Sequence, residues 1–241
     1  MQGAIVALTT IAGMFGERYG DHRPAVLALH GWGRDHSDFA AALHDIPSIA
    51  LDLPGFGASA APESVMGTDG YARAVGAVLA EFSSPPVVIG HSFGGRVALN
   101  LAATRPVSGL VLVSVPLLRT APVRRPSLGY RLRKSFRFLL GEDRLERARH
   151  RYGSPDYRAA TGVMRDILVA AVNETYEDLL PKIECPTRLV WGREDREVPV
   201  HVAEAAAELI PDARLRVVPD VGHHPLIDAP EIVRAEILEL L

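Results

Sequence analysis

Two periods alternate along the apolar and polar positions of the chain. Residues 25–29, 48–51, 86–89, 109–113, 187–191 and 215–218 are short, mostly uninterrupted Val/Ile/Leu runs. Such runs predict strands covered on both faces, as in a parallel sheet between helical layers. Between them, residues 71–82, 96–103, 200–210 and 231–241 carry apolar side chains three and four positions apart, which predicts helices with one buried face. Strands and helices in alternation predict an open α/β sheet. The apolar stretch 3–15 has no Lys or Arg ahead of Arg18, so the charged head of a signal peptide is missing. It is read as an early strand with its turn.

The alternation stops between residues 116 and 183. Leu128, Leu132, Phe136 and Leu139 lie on one helical stripe. Ser154 can cap a helix with Pro155 in its first turn, and Tyr157, Ala160, Val163, Met164, Ile167, Leu168, Ala171 and Val172 then keep an apolar face. The expected organisation is a core of residues 1–115 and 184–241, with a helical cap of residues 116–183 inserted. Ligands of open α/β sheets bind at the carboxyl ends of the strands. An insertion that leaves one strand end can fold over that region as a lid.

Composition narrows the classes. With 241 residues, 48% of them hydrophobic and 23% charged, the chain is ordinary globular material able to bury a full core. The net charge of −3 argues against a globally basic nucleic-acid binder. One cysteine, Cys185, excludes an internal disulfide and a multi-cysteine metal site, and is read as structural. No apolar run reaches the roughly 18 residues of a membrane span, so a cytoplasmic protein without membrane insertion is expected. Charge is uneven: residues 119–151 carry a net +8 and the rest of the chain −11. One reading is a solvated Arg-rich surface. The other is attraction for an anionic substrate, headgroup or partner.

Gly90-His91-Ser92-Phe93-Gly94 follows the apolar run 86–89 and opens the helix 96–103. Gly-x-Ser-x-Gly alone is a weak signal, but on a sharp strand-to-helix turn it exposes a strained serine above the sheet. Ser92 is therefore the candidate nucleophile. A serine hydroxyl needs a base, and His223, in Asp220-Val221-Gly222-His223-His224-Pro225, follows the last predicted strand. His224 is the neighbouring alternative, and His91 is assigned to packing or hydrogen bonding. The base needs an anionic partner. Asp195, in Trp191-Gly192-Arg193-Glu194-Asp195, follows the strand 187–191, with Glu194 as competitor. Two backbone N–H groups are expected to form an oxyanion hole. One is that of Phe93, and the other comes from His30-Gly31-Trp32-Gly33, with Trp32 preferred to Gly31.

These segments, with Asp52-Leu53-Pro54-Gly55-Phe56-Gly57-Ala58-Ser59 and Pro199, give the chain a resemblance to the α/β-hydrolase superfamily over nearly its whole length. The resemblance implies an α/β fold with a mostly parallel eight-stranded sheet flanked by helices, an inserted helical cap, and no cofactor or metal. Asp52–Ser59 is expected to form a structural turn near the site. Dehalogenase and epoxide-hydrolase branches carry an aspartate nucleophile, unlike Ser92. Branches cleaving carbon–carbon bonds often place Asn before the serine and Trp after the histidine, where this chain has His91 and His224. Ser92-Phe93-Gly94-Gly95-Arg96 is similar to the Ser-x-Gly-Gly-Arg of menaquinone-pathway lyases.

The expected activity is hydrolysis of a small carboxylic ester or thioester through an acyl-enzyme. The alternative is carbon–carbon cleavage of a diketone or dienoate acid by the same triad. A non-catalytic binder on this fold is the third reading. Leu132, Phe136, Met164 and Leu168 are the expected substrate-lining residues. The expected partner is a small molecule, not nucleic acid, and the oligomeric state stays open.

Overall fold

The structure, a computed structural model, describes residues 6–119 and 155–241. Eight strands form one sheet: β1 (Val6–Ile11), β2 (Met14–Tyr19), β3 (Val26–Leu29), β4 (Ser48–Leu51), β5 (Val87–His91), β6 (Gly109–Val113), β7 (Thr187–Gly192) and β8 (Ala213–Val218). Their spatial order is β1-β2-β4-β3-β5-β6-β7-β8. β1 pairs antiparallel with β2 and β2 with β4, and all other pairs are parallel. The expected mostly parallel eight-stranded sheet is present.

Every residue of β3, β4, β5, β6 and β7 is buried. Their side chains alternate between two apolar layers. Leu27, Leu29, Ile49, Leu51 and Val88 face one layer, which receives Tyr71 and Val75 of α2 (Thr68–Gly76), Val97 and Leu101 of α3 (Phe93–Ala102), and Val202 and Ala206 of a helix at Val200–Leu209. Val26, Ala28, Ala50, Val87 and Ile89 face the other, which receives Ala42 and Leu43 of α1 (Ala40–Leu43), and Val233 and Ile237 of a helix at Pro230–Leu238. The edge strand β8 instead alternates partly buried with exposed residues.

Two expectations are refined. The segment read as an early strand with its turn holds β1 and a turn at Ala12 and Gly13, with φ of 48° and 81°, that leads straight into a return strand, β2. Two consecutive positive φ values belong to the tight hairpin turn whose twist suits antiparallel strands. The helix expected over 71–82 begins earlier, at Thr68, and tightens into a 3-10 turn over Ala77–Glu81. Its start is capped from afar, because the Thr68 backbone N–H donates to Glu174 Oε1 at 3.0 Å.

Between β6 and β7 the described chain contains α4 (Pro155–Ala159) and α5 (Gly162–Ala171). Ile167 and Ala171 of α5 join the first apolar layer. Leu132 and Phe136, nearly all of the basic segment 119–151, and the greater part of the expected cap lie outside the described residues. Numbering continues with α6 (Val200–Leu209), α7 (Pro225–Asp228) and α8 (Pro230–Leu238). Among the described residues, no helix is long and apolar enough to cross a membrane.

Strand order reverses at β3, where the chain first moves out to β4 and then returns to place β5 on the opposite side. A crevice opens at the carboxyl ends of two strands that diverge in this way. The loop after β3 and the turn after β5 flank it.

Candidate active site

Ser92 occupies the turn from β5 into α3 with φ 47° and ψ −109°. An L-residue rarely adopts this region, and such strain persists only where the surroundings enforce it. Here the enforcement is steric. A side chain on Gly94 would collide with the carbonyl oxygens of Leu29 and His30, so the first turn of α3 sits directly on the end of β3. Ser92 carbonyl oxygen accepts from Gly95 N at 3.1 Å and Arg96 N at 3.3 Å, which starts the helix. Phe93 is the first helical residue, so its N–H has no acceptor one turn back and is left for another partner.

On the neighbouring strand ends, His223 Nδ1 lies 2.9 Å from Asp195 Oδ2, and its side chain is only 8% exposed. The other carboxylate oxygen of Asp195 accepts from the N–H groups of Glu197 and Val198, both at 2.9 Å. Burial opposes the Asp195 charge, but the hydrogen bonds from His223 and Val198 outweigh it and hold the carboxyl below its ordinary range. The two loops are stitched together. Arg193 N donates to Val218 O at 2.8 Å and Glu194 N to Val221 O at 2.9 Å. Asp195, not its competitor Glu194, therefore meets the histidine. His224 caps α7 and does not take the place of His223 on Asp195.

His91 joins the two halves. It is 2% exposed, and its Nε2 lies 2.8 Å from the backbone oxygen of His223. Its ring centroid is 5.2 Å from that of His223 and 5.3 Å from that of His224. Across the crevice, a Cβ added to Gly31 would stand 2.7 Å from His91 Nδ1 and 3.6 Å from Ser92 Cβ. The backbone of the loop after β3 thus passes close to the serine, and only glycine fits there. His30 fixes that loop: Nδ1–H donates to Gly31 O at 2.6 Å and Nε2 accepts from Leu53 N at 2.9 Å. Burial holds the His30 pKa low, so this neutral tautomer is maintained. Trp32 packs edge-on against Phe56 at 4.8 Å and Phe93 at 5.2 Å, placing both expected oxyanion residues in one aromatic cluster.

Of the expected lining residues, Met164 packs its sulfur against Gly55, one residue from Phe56, and Leu168 is buried on α5. The segment Asp52–Ser59 is a structural turn as expected. Asp52 Oδ1 accepts from His36 N at 2.8 Å and lies 2.7 Å from His36 Nδ1, while Oδ2 accepts from Ala58 N at 2.8 Å. Asp35, His36 and Asp52 bring one ligand-type atom each within 4.8 Å of one another. The Asp52 oxygens are committed to this turn and Asp35 to Ser37, where it caps a short 3-10 helix. The set acts as a backbone lock.

Two residues near the histidine escaped the sequence. Ser114 directly follows β6, with φ 50°, and is fully buried. Its hydroxyl is close enough to favour the Asp195 charge, but makes no hydrogen bond of standard geometry. Glu197 Oε2 stands 3.7 Å from His223 Nε2, with 66% of its side chain exposed. An isolated serine and an isolated glutamate leave no motif to find.

The sheet, its reversal at β3 and the strained turn after β5 define an α/β hydrolase. The chain belongs to the Alpha/beta hydrolase family, whose family model matches residues 26–236, and it is a hydrolase of carboxylesterase type. It is 33% identical over 205 residues to lipase LipV of Mycobacterium tuberculosis, covering 80% of this chain and 76% of that protein. It is 30% identical over 244 residues to the pimeloyl-acyl-carrier protein methyl ester esterase of Aromatoleum aromaticum, covering 87% of this chain and 95% of that protein. An esterase structure from Exiguobacterium antarcticum superposes with a TM-score of 0.71 over 99% of this chain and 98% of that one, at 22% identity, a likeness of fold.

Proposed function

We propose that this protein hydrolyses a small carboxylic ester or thioester through an acyl-enzyme on Ser92. What supports the proposal is a strained serine turn whose preceding residue, His91, lies 2.8 Å from the backbone oxygen of the carboxylate-bound His223. Ser92 Oγ attacks the carbonyl carbon while His223 Nε2 takes its proton. Asp195, on Nδ1, fixes the tautomer and stabilises the imidazolium. The N–H groups of Phe93 and Trp32 hold the tetrahedral oxyanion, and losing one such donor costs about 2.7–4 kcal/mol of transition-state stabilisation. His223 then protonates the departing alcohol or thiol. Water, activated by the same imidazole, attacks the acyl carbon and returns the proton balance to the start. Residues 116–183 are assigned to a cap, with Met164 and Leu168 on its described part facing the acyl group.

Names of the relatives favour ester cleavage over the carbon–carbon alternative: one is a lipase and another a methyl ester esterase. The test is a chain-length series of p-nitrophenyl esters and acyl-CoAs run beside a vinylogous diketone, with Ser92→Ala as control. Ester or thioester turnover is expected, together with labelling by a fluorophosphonate. Ser92→Ala should lower kcat by about 10⁴-fold or more while leaving the fold intact. Residual activity within tenfold of the parent removes Ser92 as nucleophile. Diketone cleavage without ester or thioester hydrolysis transfers the reading to the alternative.

A further inference from the structure

We infer that His91 is a positioning residue for the base: its imidazole, one residue before the nucleophile, holds the backbone of His223 through an N–H···O=C bond and so keeps base and nucleophile in register. The inference rests on the assignment of Ser92 and His223 above.

A backbone carbonyl can only accept, so the 2.8 Å contact requires the proton on His91 Nε2. Nδ1 then faces the Gly31 backbone as a bare lone pair without a hydrogen-bond partner. A buried polar atom left unpaired is unfavourable, and an apolar side chain of similar size would avoid it. What histidine adds at this position is a rigid donor that reaches across to the loop after β8. The donor belongs to the strand that delivers Ser92, and the acceptor belongs to the residue that carries the base. His223 is tied at its side chain to Asp195 and at its carbonyl to His91. The backbone bond from Glu194 N to Val221 O holds the loop two residues earlier, so the His91 tie acts on the main chain of His223 itself.

The charged groups around this contact leave it neutral. Burial is the main cause of a His91 pKa lowered to about 3, and His223, His224 and Arg34 oppose a further positive charge. The bond therefore persists through the pH range in which an imidazole base can work.

The test compares His91→Leu, which removes the donor, with His91→Gln, which keeps an amide N–H at the end of a side chain of similar reach. Turnover is expressed per active site by fluorophosphonate titration, so that misfolded protein does not count. Expected for His91→Leu is a fall in kcat of about tenfold to a hundredfold with KM within threefold, and a matching fall in the labelling rate of Ser92. His91→Gln should recover most of both. A purely packing role predicts parental kcat per titrated site in both variants, and that result overturns the inference. Should His91→Leu not fold, the parent protein still decides the matter. Imidazole ¹⁵N NMR must show His91 neutral with its proton on Nε2, coupled to the His223 carbonyl, and an Nδ1–H tautomer overturns the inference. Absence of any ester or thioester turnover by the parent protein would instead defeat the assignment of function, leaving the tautomer measurement to stand alone.

Discussion

On the β5 side of the rim, position is set by volume, whereas on the β7–β8 side it is set by hydrogen bonds. Ser92 is held at φ 47° because α3 lies against the end of β3 so closely that Gly94 admits no side chain. His223 is held because its ring and its carbonyl each have one partner, Asp195 and His91. Close packing is insensitive to pH and salt but intolerant of a single methyl group. Hydrogen-bonded loops tolerate isosteric change in the fold, yet lose function when one donor or acceptor is altered. The two halves should therefore break in opposite ways.

The largest effect belongs to the hydrogen-bonded half. Asp195→Asn keeps the volume and can still accept from Glu197 N and Val198 N, but it can present an N–H to His223 Nδ1 and select the wrong tautomer. A fall in kcat of about 10³- to 10⁴-fold is expected, with the melting temperature within a few degrees of the parent. Activity within tenfold of the parent would mean that the Asp195 contact does not govern the base. Next comes the packed half. Gly94→Ala forces a Cβ into the Leu29 and His30 carbonyl oxygens and should cost about 3 kcal/mol or more in urea unfolding. Gly222→Ala is the control, because nothing lies within 4 Å of a Cβ there, and it should stay within about 0.5 kcal/mol. Equal costs for the two alanines would erase the proposed difference.

The same contrast explains what the sequence could disclose. Glycines two positions either side of a serine, placed after an apolar strand, advertise a volume constraint, so Ser92 was legible. Asp195 and His223 were legible from their places just past strand ends. The His91 contact was not, because its acceptor is a backbone carbonyl 132 positions away, and every residue offers one. Likewise Thr68 as the start of α2 depends on a carboxylate 106 positions away. The turn after β1 was legible but the return strand β2 was not, because alanine rarely takes a positive φ and none of the usual Asn or Asp markers of a tight hairpin is present. Local sterics leave a local trace, while long-range hydrogen bonds to the main chain leave none.

The pH dependence of stability sharpens the comparison further. Burial lowers the His91 pKa to about 3, against an ordinary value near 6.5. Between those values the unfolded chain binds a proton at residue 91 that the folded chain does not. Stability is therefore complete above about pH 6.5 and declines as pH falls toward 3, by at most about 1.4 kcal/mol per pH unit from this group. The lowered pKa of Asp195 acts in the same sense at lower pH, and that of His30 in the same sense from about pH 6.5 downward. His91→Gln removes only the first contribution. Its urea-derived stability should consequently lose less between about pH 6 and 4 than that of the parent. Parallel curves for the two proteins would place the acid sensitivity elsewhere.

The smallest effect should come from Glu197→Gln. Glu197 stands 3.7 Å from His223 Nε2, the nitrogen proposed as the base, near enough to raise the question of a second acid beside it. Its exposure argues otherwise. With 66% of the side chain in solvent, the charge is screened, and exposed ion pairs are worth about 0–1 kcal/mol. Asp195, by contrast, has no side-chain exposure and three hydrogen bonds. Glu197→Gln should change kcat/KM by no more than about threefold at low salt, and the difference should shrink further in about 0.5 M salt. A loss of tenfold or more that survives high salt would show that exposure does not separate the two carboxylates. The base would then be held from both ring nitrogens, and the hydrogen-bonded half of the rim would extend to Glu197.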